Sequence, residues 1–361
     1  MRARAMKDKI NHKDFKKILI WSSMGIGNMV NFLPMLRALR DRFPNSEITL
    51  LTWSNPVIFD LIEDGLYNKI IFLNKKSRLS LWLSVFFLFL RTHDLFIVKW
   101  HNNIWVSRFI KASRKAYVIG HISSAGWKSK YDHLVNLPIK LISGKSDKEQ
   151  YMNLVSSLIL ENGLYEESLI IPASAIYKAD QILKEYGLND YPLTIGLHID
   201  VGLAQPYKQI GYEKWTQIIE GIKFELPDAK FILFGSIGDL LSEKISLKFK
   251  DDDCIVNLIG NLNIIETAAL LTKINLLVGV DSSLKTIASA LNTPSVVPYG
   301  CTDPSRAAPL DSKIDVIRID LECSPCDVFG PTNWKKCSHH SCIKQLKSKS
   351  VIDSVAGFFK D

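Results

Sequence analysis

Residues 18–52 read ILIWSSMGIGNMVNFLPMLRALRDRFPNSEITLLT, and the order of signals in this stretch sets the fold class. Ile18-Leu19-Ile20-Trp21 is a short apolar run of strand length. A glycine-bearing turn follows, and then Met29, Phe32, Leu33, Leu36, Leu39 and Phe43 recur at steps of three and four, the stripe of a half-buried helix. Pro44-Asn45 ends that helix, and Ile48–Leu51 reads as a second strand. Strand, helix and strand in short alternation predict a parallel sheet with right-handed crossovers.

The same alternation extends outward. Further strands are expected at Lys69–Leu73, Leu95–Val98 and Ala116–Ile119. A second series opens with Thr194–His198 and a helix over Glu213–Leu226, then strand Lys230–Phe234, a helix from Gly238 to Phe249, and strand Ile255–Leu258. Helix Ile264–Thr272, strand Ile274–Val280, helix Ser283–Leu291 and strand Ser295–Tyr299 complete it. Leu164 to Pro192 carries no strong strand signal and is read as the connection. The expectation is an α/β protein of two doubly wound domains, 1–170 and 190–345, facing each other across a cleft. Residues 346–361 are expected to form a helix packing back on the first domain. Ligands should sit at the carboxyl ends of the strands.

Composition narrows the class. The 361 residues are 47% apolar, 23% charged and 10% aromatic, which suits a full hydrophobic core and excludes disordered and collagen-like chains. Forty-five Lys and Arg against 37 Asp and Glu give a net charge of +8, which favours anionic partners such as nucleotides, phosphorylated sugars or acidic headgroups. The basic residues look dispersed and no aromatic-basic module is evident, so nucleic acid is not expected as a partner. The N-terminal run lacks the apolar core of a secretory signal, and the sequence reads as cytoplasmic. The longest apolar run, Leu79–Leu90, is too short to cross a bilayer, which takes about 20 residues. It is apolar all round, so burial against the first sheet is the plainer expectation and docking on a membrane surface the other.

Two turns could carry chemistry. Gly25-Ile26-Gly27-Asn28 lies between a strand and a helix, where glycines let a ligand approach and free N–H groups attract anions. The turn is not a full GxGxxG, and no acidic residue closes strand two, so a dinucleotide oxidoreductase is disfavoured. Farther on, Val278-Gly279-Val280-Asp281-Ser282-Ser283-Leu284-Lys285-Thr286 delivers Asp-Ser-Ser to a helix start, where hydroxyls and amides can hold a diphosphate or simply cap the helix. Cys323, Cys326, Cys337 and Cys342 are spaced as a soft-ligand site for zinc or iron. Reduced unligated thiols and a disulfide stay open beside that structural metal.

Four segments occur in one order: residues 18–52, TIGLHIDVGLAQPYKQIGYEKWTQII, FILFGSIGD and NLLVGVDSSLKTIASALNTPSVVPYGCTDPSRAAP. Together they resemble glycosyltransferase family 9, the ADP-heptose:lipopolysaccharide heptosyltransferases. The resemblance is strong over Ile18–Pro44 and Thr194–Pro309 and thin between Ser54 and Tyr191. It implies the GT-B architecture of two Rossmann-like domains, acceptor on the first and nucleotide-sugar on the second. It also implies inverting transfer with no cofactor at the chemical step. Carried over residue by residue, Lys208 is expected to face the donor phosphates, Asp239 to lie near the nucleoside, Asp281 and Ser282 to stand at the donor helix and His198 to start the loop below the donor. Gly25, Gly27, Ser283 and Lys285 complete the expected donor set. Some branches of the family carry similar C-terminal cysteines, and autotransporter members use four for iron.

Two departures bear on mechanism. Asn28 stands where the family has an aspartate as candidate base, and an amide oxygen is too weakly basic to take that proton. The expected catalytic set is therefore Asn28 to orient the acceptor, with His198 or Asp200 as relocated base; His101 is a further candidate. Ser283-Leu284-Lys285-Thr286 replaces a glycine- and histidine-bearing segment, so that Lys285 supplies the charge. The resemblance implies an ADP-heptose-like donor, a lipopolysaccharide core or other glycan or lipid-linked acceptor, and peripheral contact with the cytoplasmic face of the inner membrane. A catalytically silent sugar-nucleotide-binding or scaffold relative is the competing reading, motivated by Asn28 and Ser283.

Overall fold

The computed structural model describes residues 13–22, 25–53, 56–74, 76–101, 103–124, 127–159, 164–201, 205–308, 313–326 and 337–360. The basic N-terminal run before Lys13 lies outside them, as do Ser23 and Met24 of the first turn. The chain divides into two compact units, the first holding most residues up to Ser168 and the second most from Leu169 onward.

The N-terminal unit contains β1 (Lys17–Trp21), α1 (Ile26–Arg42), β2 (Glu47–Thr52), β3 (Lys69–Phe72), α2 (Arg78–Leu90), β4 (Leu95–Val98), α3 (Ile104–Ala112), β5 (Tyr117–Ile122), β6 (Leu137–Lys140) and α4 (Asp147–Val155). Its strands form one sheet in the order β3-β2-β1-β4-β5-β6, every neighbouring pair parallel. The central strands are almost wholly buried, which is why they read as continuous apolar runs. β6 escapes such a reading because Leu-Pro-Ile-Lys alternates buried and exposed and carries a proline, tolerated there because the strand lies at the sheet edge. α4 is set by a capping box between Ser146 and Glu149.

α2 differs from the plainer expectation. Ser77 caps it, accepting a hydrogen bond from the Ser80 N–H at 3.1 Å, but only Leu81 and Leu88 are buried. The run is therefore not a core helix: one narrow seam packs inward and most of its large side chains face solvent. No helix among the described residues is long and apolar enough to cross a membrane.

The C-terminal unit contains α5 (Ala173–Glu185), β7 (Leu193–His198), α6 (Tyr212–Glu225), β8 (Ala229–Phe234), α7 (Leu240–Lys248), β9 (Ile255–Asn257), α8 (Ile264–Leu271), β10 (Leu276–Gly279), α9 (Ser283–Ala290), β11 (Ser295–Pro298), α10 (Pro304–Ala307), β12 (Ile314–Ile317), α11 (Ser341–Lys344) and α12 (Ser348–Gly357). The sheet order is β12-β11-β10-β7-β8-β9, again all parallel. Its core joins Trp215, Ile218, Ile219 and Ile222 of α6 to Leu197, Phe231, Leu233 and Val278 of the strands. Residues expected only to connect the domains hold α5, which packs on α8.

The C-terminal helix calls for a correction. It was expected to pack back on the first domain, but α12 packs on α6, β11 and β12, with Val351 and Val355 inside the C-terminal core. The helices approach closely at Gly221, where a Cβ would lie 2.3 Å from Ile352 Cδ1, so a larger residue there would displace the Ile352 side chain. Lys214 Nζ adds a polar tie by donating to the Lys344 carbonyl at 2.6 Å.

Candidate active site

In a doubly wound sheet, ligands bind where the strand order reverses, because the crossovers leave there in opposite directions and open a crevice. In the C-terminal sheet the reversal falls between β7 and β10. Gly279 pairs with His198, and the Val280 N–H donates to the His198 carbonyl at 3.0 Å. A Cβ on Gly279 would meet that carbonyl oxygen at 2.8 Å, so glycine is what lets the strands close here. Asp281 and Ser282 follow immediately, at the start of α9.

Asp281 is buried between two lysines. Lys208 Nζ lies 2.6 Å from its Oδ2 and Lys285 Nζ 3.3 Å from its Oδ1. Lys285 also donates to the Ala307 carbonyl at 2.7 Å and sits 5.6 Å from the Tyr299 ring centre. Burial alone would raise the Asp281 carboxyl; Lys285 and Lys208, with the Thr302 side chain beside it, outweigh burial and hold the group well below the usual carboxylate range. Two ammoniums on one carboxylate leave one net positive charge at a buried switch point. α9 adds the partial positive charge of its N-terminus, with no acidic residue in its first turn.

Ser282 caps α9, its Oγ accepting from the Leu284 N–H at 3.3 Å, and the same Oγ lies 3.1 Å from His198 Nδ1. Capping and site-building are thus both present at one residue. Burial pushes the His198 ring down to about 4, against the raising effect of Asp200, so it is neutral at neutral pH. Asp200 Oδ2 accepts the Ser242 N–H at 2.7 Å, anchoring the loop after β7 to the first turn of α7. Asp239 turns its carboxylate to the Ser236 N–H at 2.6 Å within the loop after β8. Burial raises its carboxyl, as do Asp200 and Glu243, while the Ser236 hydrogen bond lowers it.

The structure therefore brings Lys208, Asp281, Ser282 and Lys285 together with His198, and places Asp200 and Asp239 on neighbouring loops at the same end of the sheet. Ser283 is the first residue of α9. Gly25, Gly27 and Asn28 lie in the other unit, at the start of α1, where Gly25 precedes the helix with no side-chain cap. The N-terminal sheet reverses between β1 and β4, so this turn and the residues after β4 share its switch point. Lys99 follows β4 there, and burial lowers its ammonium to about 8 against the raising effect of Asp147. His121 is pushed down to about 3, first by burial and then by Lys99. Lys99, His121, Tyr299 and Thr302 were missed from sequence. Lys99, Tyr299 and Thr302 carry a legible signal, since Tyr299 ends a predicted strand and Lys99 and Thr302 closely follow the ends of predicted strands.

The cysteines do not form the expected centre. Among the described residues no group of three or more His, Cys, Asp and Glu side chains is arranged to hold a metal ion. Cys326 and Cys342 share an apolar cluster with Cys301, Tyr207 and Leu321, whereas Cys323 is exposed. Burial raises the Cys342 thiol, and Cys337 and Cys323 add to the shift, so the thiols are neighbours without a closed ligand set. Zinc or iron at Cys323, Cys326, Cys337 and Cys342 does not fit this arrangement, and none of the four forms a disulfide.

Fold and sequence likeness together define a glycosyltransferase of the GT-B class. Residues 228–335 match the profile of glycosyltransferase family 9 (heptosyltransferase), a span that includes Asp239, Asp281–Lys285 and Thr302. The likeness is to glycosyltransferase family 9, the one the sequence motifs resemble. A lipooligosaccharide heptosyltransferase 2 of Haemophilus ducreyi is 26% identical over 333 residues, covering 84% of this chain and 88% of the relative. The structure of Escherichia coli ADP-heptose lipopolysaccharide heptosyltransferase II shares the fold with a TM-score of 0.69 at 18% identity, over 95% of this chain and 98% of that one. An E. coli heptosyltransferase solved with ADP-2-deoxy-2-fluoro heptose gives a TM-score of 0.60 at 14% identity, over 94% and 99%.

Proposed function

We propose that the protein transfers a heptose or related sugar from an ADP-heptose-like donor to a lipopolysaccharide core or other cell-surface glycan, with inversion at the anomeric carbon. The observation that carries this reading is the Asp281-centred lysine pair at the switch point of the C-terminal sheet. Such a site suits a diphosphate leaving group. The acceptor hydroxyl oxygen bonds to the anomeric carbon while the bond from that carbon to the diphosphate oxygen breaks, and the electron pair leaves with the nucleoside diphosphate. Lys208, Lys285 and the amides at the start of α9 stabilise the charge that builds there, fixed in place before reaction.

The hydroxyl proton needs a base, and Asn28 is not one. The proposal gives Asn28 the orienting role and Asp200 the proton. A neutral His198 ring held near pKa 4, its Nδ1 engaged with Ser282, is a poor base at neutral pH. Asp200 retains an oxygen beyond the one bonded to Ser242, so Asp200→Asn keeps the loop anchor while removing the base. The acceptor class implies peripheral contact with a membrane face.

The test is mass spectrometry of reactions with a panel of nucleotide-sugars, followed by Asp200→Asn on the donor that turns over. General-base removal should lower kcat by about 10²–10⁴-fold with donor affinity retained. Donor binding without turnover in the unaltered protein would establish the silent reading instead, and full activity in Asp200→Asn would remove Asp200 from the mechanism.

A further inference from the structure

The +8 net charge is not spread over the chain. Residues 65–131 hold twelve Lys and Arg and a single acid, Asp94, for a net charge of +11; the remainder of the chain therefore carries −3. Asp94 is itself engaged, its Oδ2 accepting the Lys16 and Lys17 N–H groups at 2.9 Å each. The same stretch contains α2, whose inward seam is Leu81 and Leu88, and whose remaining large side chains lie in the open. Leu79 is 71% exposed, Leu90 60%, Phe87 56% and Phe86 55%, with Trp82, Leu83 and Phe89 close to half. At about 150–250 Å² for each aromatic side chain, this face presents on the order of 700 Å² of apolar surface, at or beyond the largest patch usual on a monomer.

The basic residues frame the patch. Arg78 opens α2 and Arg91 follows its last residue. The Arg108 guanidinium lies 4.9 Å from the Trp82 ring and 4.4 Å from the Trp105 ring, and Arg114 lies 4.2 Å from the Phe89 ring. Arginines lying over aromatic faces keep their stems on apolar surface while the charged heads stay free for anions.

We propose that α2 is a membrane-docking helix, lying in the plane of a bilayer with anionic headgroups. Its aromatic and leucine side chains enter the headgroup–acyl boundary, and Arg78, Arg91, Arg108 and Arg114 meet lipid phosphates. Thirteen residues at ~1.5 Å rise span about 20 Å, short of the ~30 Å hydrocarbon core, so the helix lies on the membrane rather than across it. A second copy of this chain is the poorer occupant, because a two-fold contact would set the basic rim against itself. The proposal rests on the heptosyl-transfer reading only for why a membrane is useful, and its test needs neither donor nor acceptor.

The experiment is flotation of the full chain with phosphatidylethanolamine–phosphatidylglycerol vesicles, against phosphatidylcholine vesicles. Binding is expected only with phosphatidylglycerol, weakening as salt rises, with a blue shift of tryptophan emission as Trp82 leaves water. A Leu79→Ser/Phe86→Ser/Phe87→Ser variant, all at exposed positions, should partition at least tenfold more weakly with unchanged thermal unfolding. Arg78→Glu/Arg91→Glu should lose the preference for phosphatidylglycerol. Failure of the unaltered protein to float, or flotation of the triple variant as well as the unaltered protein, would overturn the proposal. So would a dimer that dissolves with the triple substitution in light scattering, or single-stranded RNA binding lost with it.

Discussion

Asp281→Asn tests the centre of the site. The substitution keeps the shape of the side chain but removes the charge between Lys208 and Lys285, whose ammonium nitrogens lie 2.6 and 3.3 Å from the carboxylate. At an effective dielectric of about 20, unit charges at those separations attract by about 5–6 kcal/mol each before desolvation is counted. Removing one partner of a buried pair costs about 3–5 kcal/mol net, because the remaining charge stays out of water. Here two like charges would remain, so the upper part of that range is expected. A unit of this size loses about 2–4 °C of Tm per kcal/mol, which puts the fall at roughly 8–20 °C in differential scanning calorimetry. Adding Lys285→Met to Asp281→Asn should restore part of the loss, with a coupling of about 0.5–3 kcal/mol in a double-mutant cycle. By contrast, Lys208→Ala should weaken ADP binding by about 1.5–3 kcal/mol in titration calorimetry. A Tm for Asp281→Asn within 2 °C of the unaltered protein, or strict additivity in the cycle, would mean the buried ion triad is not present in solution.

Three further outcomes are expected. Stability should fall as pH drops below about 6.5: His198 and His121 stay neutral in the fold down to about 4 and about 3, while the unfolded chain takes up their protons near 6.5. Between those values the unfolded state binds more protons, so each ring contributes about 2 kcal/mol of loss from pH 6.5 to 5, and His121→Phe should flatten the acid limb of Tm against pH. Gly221→Val should destabilise the C-terminal unit by about 1–3 kcal/mol by pushing Ile352 off α6, whereas a C-terminal helix docked elsewhere would leave urea unfolding unchanged. For the cysteines, iodoacetamide in native buffer should label exposed Cys323 and spare buried Cys301 and Cys342; elemental analysis showing one zinc or iron per chain would instead mean that the thiols converge in solution.

Most of the sheet framework was readable because parallel strands buried on both faces have one sequence signature, a run of four to six apolar residues. Leu95–Val98 has that signature, and its bounds in the fold match the reading. Of the four edge strands, β3 and β9 were readable, while β6 and β12 lack the signature: β12 reads Ile-Asp-Val-Ile, with its aspartate exposed and no strand beyond to demand apolar residues. Helix α4, DKEQYMNLV, is polar by composition and becomes part of the core through α1, a partner over a hundred residues earlier that no local pattern reveals. α2 failed in the opposite sense. A helix apolar all round is ordinarily a buried one, and nothing in its own thirteen residues says that its neighbours cover a single seam.

The candidate site shows where such local reading stops. The sequence exposes one half of the ion triad, since Asp281 and Lys285 stand four residues apart at a helix start. It does not expose Lys208, 73 residues earlier, on a loop where a lysine is ordinarily solvated; family register alone gave that residue weight. What joins them is the crossover. β7 and β10 are neighbours although two strands separate them in sequence, and their closeness at the carboxyl ends depends on Gly279 facing the His198 carbonyl. That contact puts Ser282 within 3.1 Å of His198 and seats Asp281 under the loop bearing Lys208. Once paired, the carboxylate does more by holding two lysines in fixed positions than it could by meeting a phosphate itself, because an anion facing a diphosphate would repel it. On this view the aspartate positions and the lysines bind, which is why Asp281→Asn and Lys208→Ala are expected to differ in their primary effect, one on folding and the other on nucleotide affinity.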